Sequence, residues 1–236
     1  MRSVPVEGDA EVSVAVLDLD SGESAAHGGG AFDTASIVKV DILATLLLQA
    51  QDADRRLTAA EKSHATTMIE NSDNTAASAL WDVIGRADGL DAANRTFGLT
   101  GTQGGDGTLW GLTRTTAADQ LALLQQVFGD GSKLSESSRS YLRGLMGRIE
   151  ADQRWGVSAA GDGSACALKN GWLPRSTTGL WVVNSIGRVT VDGRACLVTV
   201  LSRGNTTQAK GIALVESAAK AAVSVFTDTG SSAAAS

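Results

Sequence analysis

Residues 11–19 alternate in the strand manner, with Val12, Val14 and Val16 marking the two-residue period of a half-buried strand. Asp20-Ser21-Gly22-Glu23 then supplies turn chemistry and predicts a hairpin returning over residues 24–31. Behind Asp33-Thr34-Ala35-Ser36-Ile37-Val38-Lys39 the pattern changes: Ile37, Val38, Val40, Ile42, Leu43, Leu46, Leu47 and Leu48 predict a helix that is apolar almost all round. Such a helix belongs in a protein interior.

Residues 58–145 read mostly as helices. Thr58 and Glu61 form a capping box opening a helix to Glu70, and Asn71-Ser72-Asp73-Asn74 breaks it. Helices are predicted over 75–84, 91–97, 115–128 and 135–146. Between the second and third of these, six glycines predict a loop without regular structure over 98–112, and loops of that length are usually functional or mobile. Three short β-rich runs follow at 165–172, 180–186 and 195–201, with Asp162-Gly163 and Asp192-Gly193 at tight turns. Ile212, Val215, Ala219, Ala222, Val223 and Phe226 make one stripe of a closing helix.

The predicted class is therefore α+β: an antiparallel five-stranded sheet drawn from both chain ends, flanked by helices, with an inserted all-helical lobe. One catalytic domain spans residues 1–226, with a sheet lobe over 1–35 and 160–226 and a helical lobe over 36–159. Residues 227–236 read as a disordered tail of small residues. A cleft between the lobes is the natural site.

Composition narrows the partners. The 236 residues carry a net charge of −6, which argues against a nucleic-acid partner. No stretch approaches the roughly 18 apolar residues of a membrane span. The first residues lack the apolar core of a signal peptide, so the chain reads as cytoplasmic as it stands, or as extracellular after removal of a leader. His27, His64, Cys166 and Cys196 show no metal-ligand spacing, so neither metal nor cofactor is expected. Both cysteines read as small buried hydrophobes, with a disulfide between them left open. His27-Gly28-Gly29-Gly30 is similar to an esterase oxyanion loop, but the G-x-S-x-G elbow of that fold is missing from the chain, and the glycines read as a flexible loop.

Candidate chemistry starts at the buried helix. Ser36 and Lys39 lie one turn apart on one face, and an ammonium in that place is costly unless it is paired or working. Two further motifs follow, Ser72-Asp73-Asn74 at a helix break and Lys169-Asn170-Gly171 on a strand. Together with Ser36-Ile37-Val38-Lys39 they match the S-x-x-K, S-D-N and K-T-G set. Over about residues 11–226 the chain resembles the superfamily of class A β-lactamases and penicillin-binding proteins.

The resemblance implies a serine hydrolase that forms an acyl-enzyme on a β-lactam or related amide or ester. A D-alanyl peptidase, an esterase, an acyltransferase and a non-turnover penicillin sensor remain alternatives on the same scaffold. Ser36 is the candidate nucleophile, and Lys39 its base once burial and Lys169 depress its pKa. Ser72 would relay a proton to the leaving nitrogen, and Asn74 would bind Lys39 and the substrate amide. The N–H groups of Ser36 and Trp172 would form the oxyanion hole beside Gly171. Lys169 and the amide of Asn170 would favour a small-molecule or peptide substrate with a carboxylate.

Two departures accompany the likeness. Asn170 stands where the family carries a hydroxyl residue. The stretch over 99–110 lacks the E-x-x-L-N glutamate that activates the deacylating water in class A β-lactamases, and Asp106 is its only carboxylate. A glycine-rich loop is poor scaffolding for a positioned base, so slow deacylation is expected. Arg154, Arg175 and Arg203 are each candidates for the family's carboxylate-binding arginine.

Overall fold

A computed structural model describes residues 4–227. Its main sheet has five antiparallel strands in the order β2-β1-β7-β6-β5: β1 (Glu11–Asp18), β2 (Ser24–His27), β5 (Ala167–Pro174), β6 (Trp181–Val191) and β7 (Arg194–Asn205). The first and last parts of the chain thus meet in one sheet through the β1–β7 ladder, with Val14 opposite Val200.

Alternation along the strands divides the core in two. Val14 and Val16 of β1 and Val198 and Val200 of β7 face the closing helix α7 (Gln208–Thr227). Ala15, Leu17, Leu197 and Leu201 face the other way, into the core of the helical block. That block contains α1 (Val38–Asp52), α2 (Ala59–Glu70), α3 (Asn74–Val83), α4 (Arg86–Phe97), α5 (Ala117–Phe128) and α6 (Glu136–Met146). Helix α1 runs through its centre, with Ile42, Leu43, Ala44 and Leu46 fully buried. The capping box forms as expected: Glu61 N–H donates to Thr58 Oγ1, and Thr58 N–H to a Glu61 carboxylate oxygen.

Several boundaries differ from the sequence reading. Helix α4 begins at Arg86, five residues early, because Gly89 lies inside the helix rather than breaking it. Leu90, Ala93, Asn94 and Phe97 give it a buried face. Strands β6 and β7 run longer, joined by the expected turn at Asp192-Gly193. Cys166 precedes β5 and is only half-buried, whereas Cys196 lies in the core of β7; both thiols are free. Helix α7 takes in Thr227, and the rest of the predicted tail lies outside the described residues. Among the described residues no helix is long and apolar enough to cross a membrane.

The largest difference is the glycine-rich loop. Residues 98–112 are fastened at several places rather than loose. Gly101 N–H donates to Asp119, Gly104 N–H to Asp91, and Gly105 N–H to Thr113 Oγ1; the Trp81 indole N–H donates to the Gly107 carbonyl. A side chain at Gly105 would collide with the Leu109 carbonyl, so glycine here permits close packing. A two-residue ladder, β3 (Phe32–Asp33) with β4 (Arg114–Thr115), ties the end of the loop to the segment before Ser36. Strands of two residues carry no readable period, so the sequence does not announce them.

Candidate active site

Ser36 sits in a 3-10 turn (Ala35–Ile37) that runs straight into α1. The sheet fixes this turn from below. Asn184 of β6 donates to the carbonyls of Asp33 and Thr34, both at 2.9 Å. Gly171 of β5 lies directly behind: a Cβ there would stand 2.6 Å from the Ser36 nitrogen and 2.8 Å from that of Ile37. No real Cβ tolerates that, so glycine is required for the strand to approach. Ala35 (φ +48°) and Ser72 (φ +56°) both hold left-handed backbone, at a cost of roughly 1–3 kcal/mol each that the surrounding contacts offset.

Lys39 points from α1 into a polar niche formed by the α2–α3 junction. Its ammonium donates to Asn74 Oδ1 at 2.8 Å, to the Ser72 carbonyl at 2.7 Å and to Ser72 Oγ at 3.0 Å. Lys169 of β5 reaches the same hydroxyl at 2.9 Å and the Asn170 carbonyl at 3.0 Å. One serine hydroxyl thus lies between two buried amines. Burial depresses Lys39 to about 7, partly opposed by the Asp73 carboxylate. Burial, and then the charge of Lys39, also hold Lys169 well below the ordinary lysine range. Among the described residues Ser36 Oγ makes no hydrogen bond to Lys39, a looseness common in unliganded sites.

A cavity of about 270 Å³ opens over Ser36, lined by Ser36, Asn74, Thr108, Leu109, Trp110 and Trp172 among others. The glycine-rich loop supplies its far wall. Trp110 donates its indole N–H to Ser78 Oγ at 3.1 Å, and its ring lies 5.0 Å from Lys39 Nζ. A cation–π contact is worth about 0.5–2 kcal/mol in favour of the charged amine. Depression of Lys39 from 10.5 to about 7 corresponds to roughly 5 kcal/mol the other way, so burial prevails.

The remaining site candidates fall outside this cavity. Asp106 is exposed and does not line it. Asn170, expected to offer its amide to a substrate, is buried and turned away: Nδ2 donates to the carbonyls of Gln153 and Trp155 at 2.6 and 3.0 Å. It anchors the segment before β5, where Trp155 packs on Trp172 with ring centroids 5.9 Å apart. Arg154 donates to backbone carbonyls at Ile149 and Gly147, Arg203 pairs with Glu11 over the Phe32 ring, and Arg175 pairs with Asp33. None of the three arginines lines the cavity. Sequence reasoning missed Trp110; its one signal was being, with Leu109, a large apolar pair in a glycine-rich loop.

A helix headed by Ser36, a lysine pair sharing Ser72, and a closing β-strand beside them are assembled here on the fold of the β-lactamase and penicillin-binding serine hydrolases. The chain belongs to the beta-lactamase enzyme family: the model of that family, Beta-lactamase2, matches residues 60–226, a span that begins after Ser36 and Lys39. Among solved structures the chain is similar to PBP-A, with 23% identity, a TM-score of 0.81, and coverage of 95% of this chain and 93% of that one. A mutant of PBP-A solved as an acyl-enzyme complex with penicillin G gives 22% identity, a TM-score of 0.80 and coverage of 94% and 92%. A β-lactamase from Chitinophaga pinensis gives 17% identity, a TM-score of 0.76 and coverage of 89% and 92%. No curated protein sequence matches.

Proposed function

We propose that the protein captures a β-lactam as an acyl-enzyme on Ser36 and releases it slowly. The observation that carries this reading is the single Ser72 hydroxyl held between Lys39 and Lys169 beside the Ser36 cavity. In acylation Ser36 Oγ bonds to the lactam carbonyl carbon, and its proton passes to neutral Lys39. The N–H groups of Ser36 and Trp172 receive the developing oxyanion. As the C–N bond breaks, the leaving nitrogen takes its proton from Ser72, which Lys39 resupplies. Asn74 holds Lys39 in place, and the Lys169 amine beside Ser72 offers an N–H to an anionic group on the substrate.

Slow release follows from what faces Ser36. The wall opposite presents Leu109 and Trp110, and among the described residues no carboxylate lines the cavity. A water attacking the ester therefore meets no carboxylate base. The similarity to a protein captured with penicillin G supports the same substrate class.

The pH dependence of acylation tests the base. Lys39 must be neutral to accept a proton, and its pKa is depressed to about 7. The acylation rate should rise with pH, about tenfold per unit below 7, and level off above it. Intact-mass time courses with excess penicillin G between pH 5 and 9 read this directly. A rate that is flat or falls with rising pH would exclude Lys39 as the base.

A further inference from the structure

Helix α1 carries a second ionisable group that the proposed chemistry does not use. Asp41, two residues past Lys39, is 1% exposed and faces α5 instead of the cavity. Gln120 Nε2 donates to Asp41 Oδ1 at 3.1 Å. The two oxygens left over, Asp41 Oδ2 and Gln120 Oε1, are both buried and both without a hydrogen-bond partner. An ionised carboxylate and an amide oxygen only accept, so neither can satisfy the other. One proton on Oδ2 would supply the missing donor, because a carboxylic acid and a primary amide can close a ring of two reciprocal hydrogen bonds.

The hydrogen bonds beyond this pair fix which way the Gln120 amide points. Gln120 Nε2 also donates to Thr115 Oγ1 at 3.1 Å. Thr115 and Thr102 hydroxyls lie 2.8 Å apart, and Thr102 donates to Asp119 Oδ2 at 2.7 Å. Asp119 accepts from Gly101 N–H as well. Directions are then forced: amide to Thr115, Thr115 to Thr102, and Thr102 to the Asp119 carboxylate, with the second amide hydrogen left for Asp41 Oδ1. The chain of bonds connects α1, β4 and the glycine-rich loop.

We propose that Asp41 is held as a neutral carboxylic acid in a cyclic pair with the Gln120 amide, a pH-sensitive clasp between α1 and α5. Burial lifts the Asp41 carboxyl to about 7, and the Asp119 charge adds to it against the Gln120 hydrogen bond. Among the described residues Asp119 on α5 is the charged group that acts on Asp41; Lys39, on the same helix, points away to Ser72 and Asn74. Because the folded state retains a proton that the unfolded chain releases above about 4, this group lowers stability as pH rises from about 4 to 7. Lys39 acts with the opposite sign and in a higher window, above about pH 7, and Lys169, also depressed, shares that sign.

The test compares wild type with Asp41→Asn, which preserves the ring with a second amide and carries no charge. Difference infrared spectra, wild type minus variant, should show a protonated carboxyl band at pH 6 that fades between pH 6 and 8. In urea unfolding, the stability of the variant relative to wild type should grow by about tenfold in equilibrium constant per pH unit from 4 to 7, then stay constant. A carboxylate band at pH 6, the signature of an ionised Asp41 with a trapped water or cation, would overturn the clasp. If the variant fails to fold, carbon NMR of the wild type follows the same carboxyl, and an ionised signal at pH 6 overturns the clasp there too.

Discussion

Replacing Ser36 with alanine should abolish covalent capture of penicillin G, leaving the intact mass of the protein unchanged after hours with excess ligand. Ser36 and Thr108 both line the cavity, and of the two Ser36 stands at the head of α1, one turn from Lys39. Ser72 cannot substitute, because its hydroxyl is engaged by Lys39 and Lys169. Among the described residues Ser36 Oγ makes no hydrogen bond, and the residue is half-buried, so stability should change by less than about 0.5 kcal/mol. A thermal melt alongside the mass measurement separates loss of chemistry from loss of fold. An adduct of unchanged yield on a folded Ser36→Ala protein would remove Ser36 from the reaction.

The second large effect belongs to Lys39. Substitution by methionine retains most of the side-chain volume and deletes the amine that touches Asn74 and Ser72. General-base assistance contributes about 10²–10⁴ in rate, and acylation at pH 8 should fall by that factor. Loss of the neighbouring positive charge should also let the pKa of Lys169 recover in part, since Lys39 is the second cause of its depression. The residual rate should therefore lose the rise around pH 7 that marks the wild type. Unchanged acylation kinetics in Lys39→Met would show that the proton leaves Ser36 by another route.

The sequence was informative where one periodicity or one motif decides the structure. The all-apolar run of α1 announced the central helix, the alternation in β1 and the β-rich runs near the end announced a shared sheet, and three spaced motifs announced the residues around Ser72. It was silent where geometry depends on contacts between distant segments. Asn170 reads as a substrate-facing amide in its motif, yet the carbonyls of Gln153 and Trp155 claim both its hydrogens. The glycines over 98–112 read as slack, yet Asp91, Thr113, Asp119 and Trp81 fasten the loop and place Trp110 over Lys39. Asp41 stands in plain view within the apolar run, but its partner Gln120 lies 79 positions away.

The wall that Trp110 and Leu109 form opposite Ser36 makes the fate of the acyl-enzyme the central question. Its answer comes from one time course: wild-type protein mixed with a modest excess of penicillin G at pH 7.5, freed of ligand, and followed by intact mass. The expected result is one penicillin added per chain within the dead time of the preparation, and an adduct still present after many minutes. An adduct that vanishes as fast as the ligand is removed, with free penicilloic acid accumulating in many-fold excess over protein, would contradict slow release. Absence of any adduct or hydrolysis would contradict the capture of β-lactams itself.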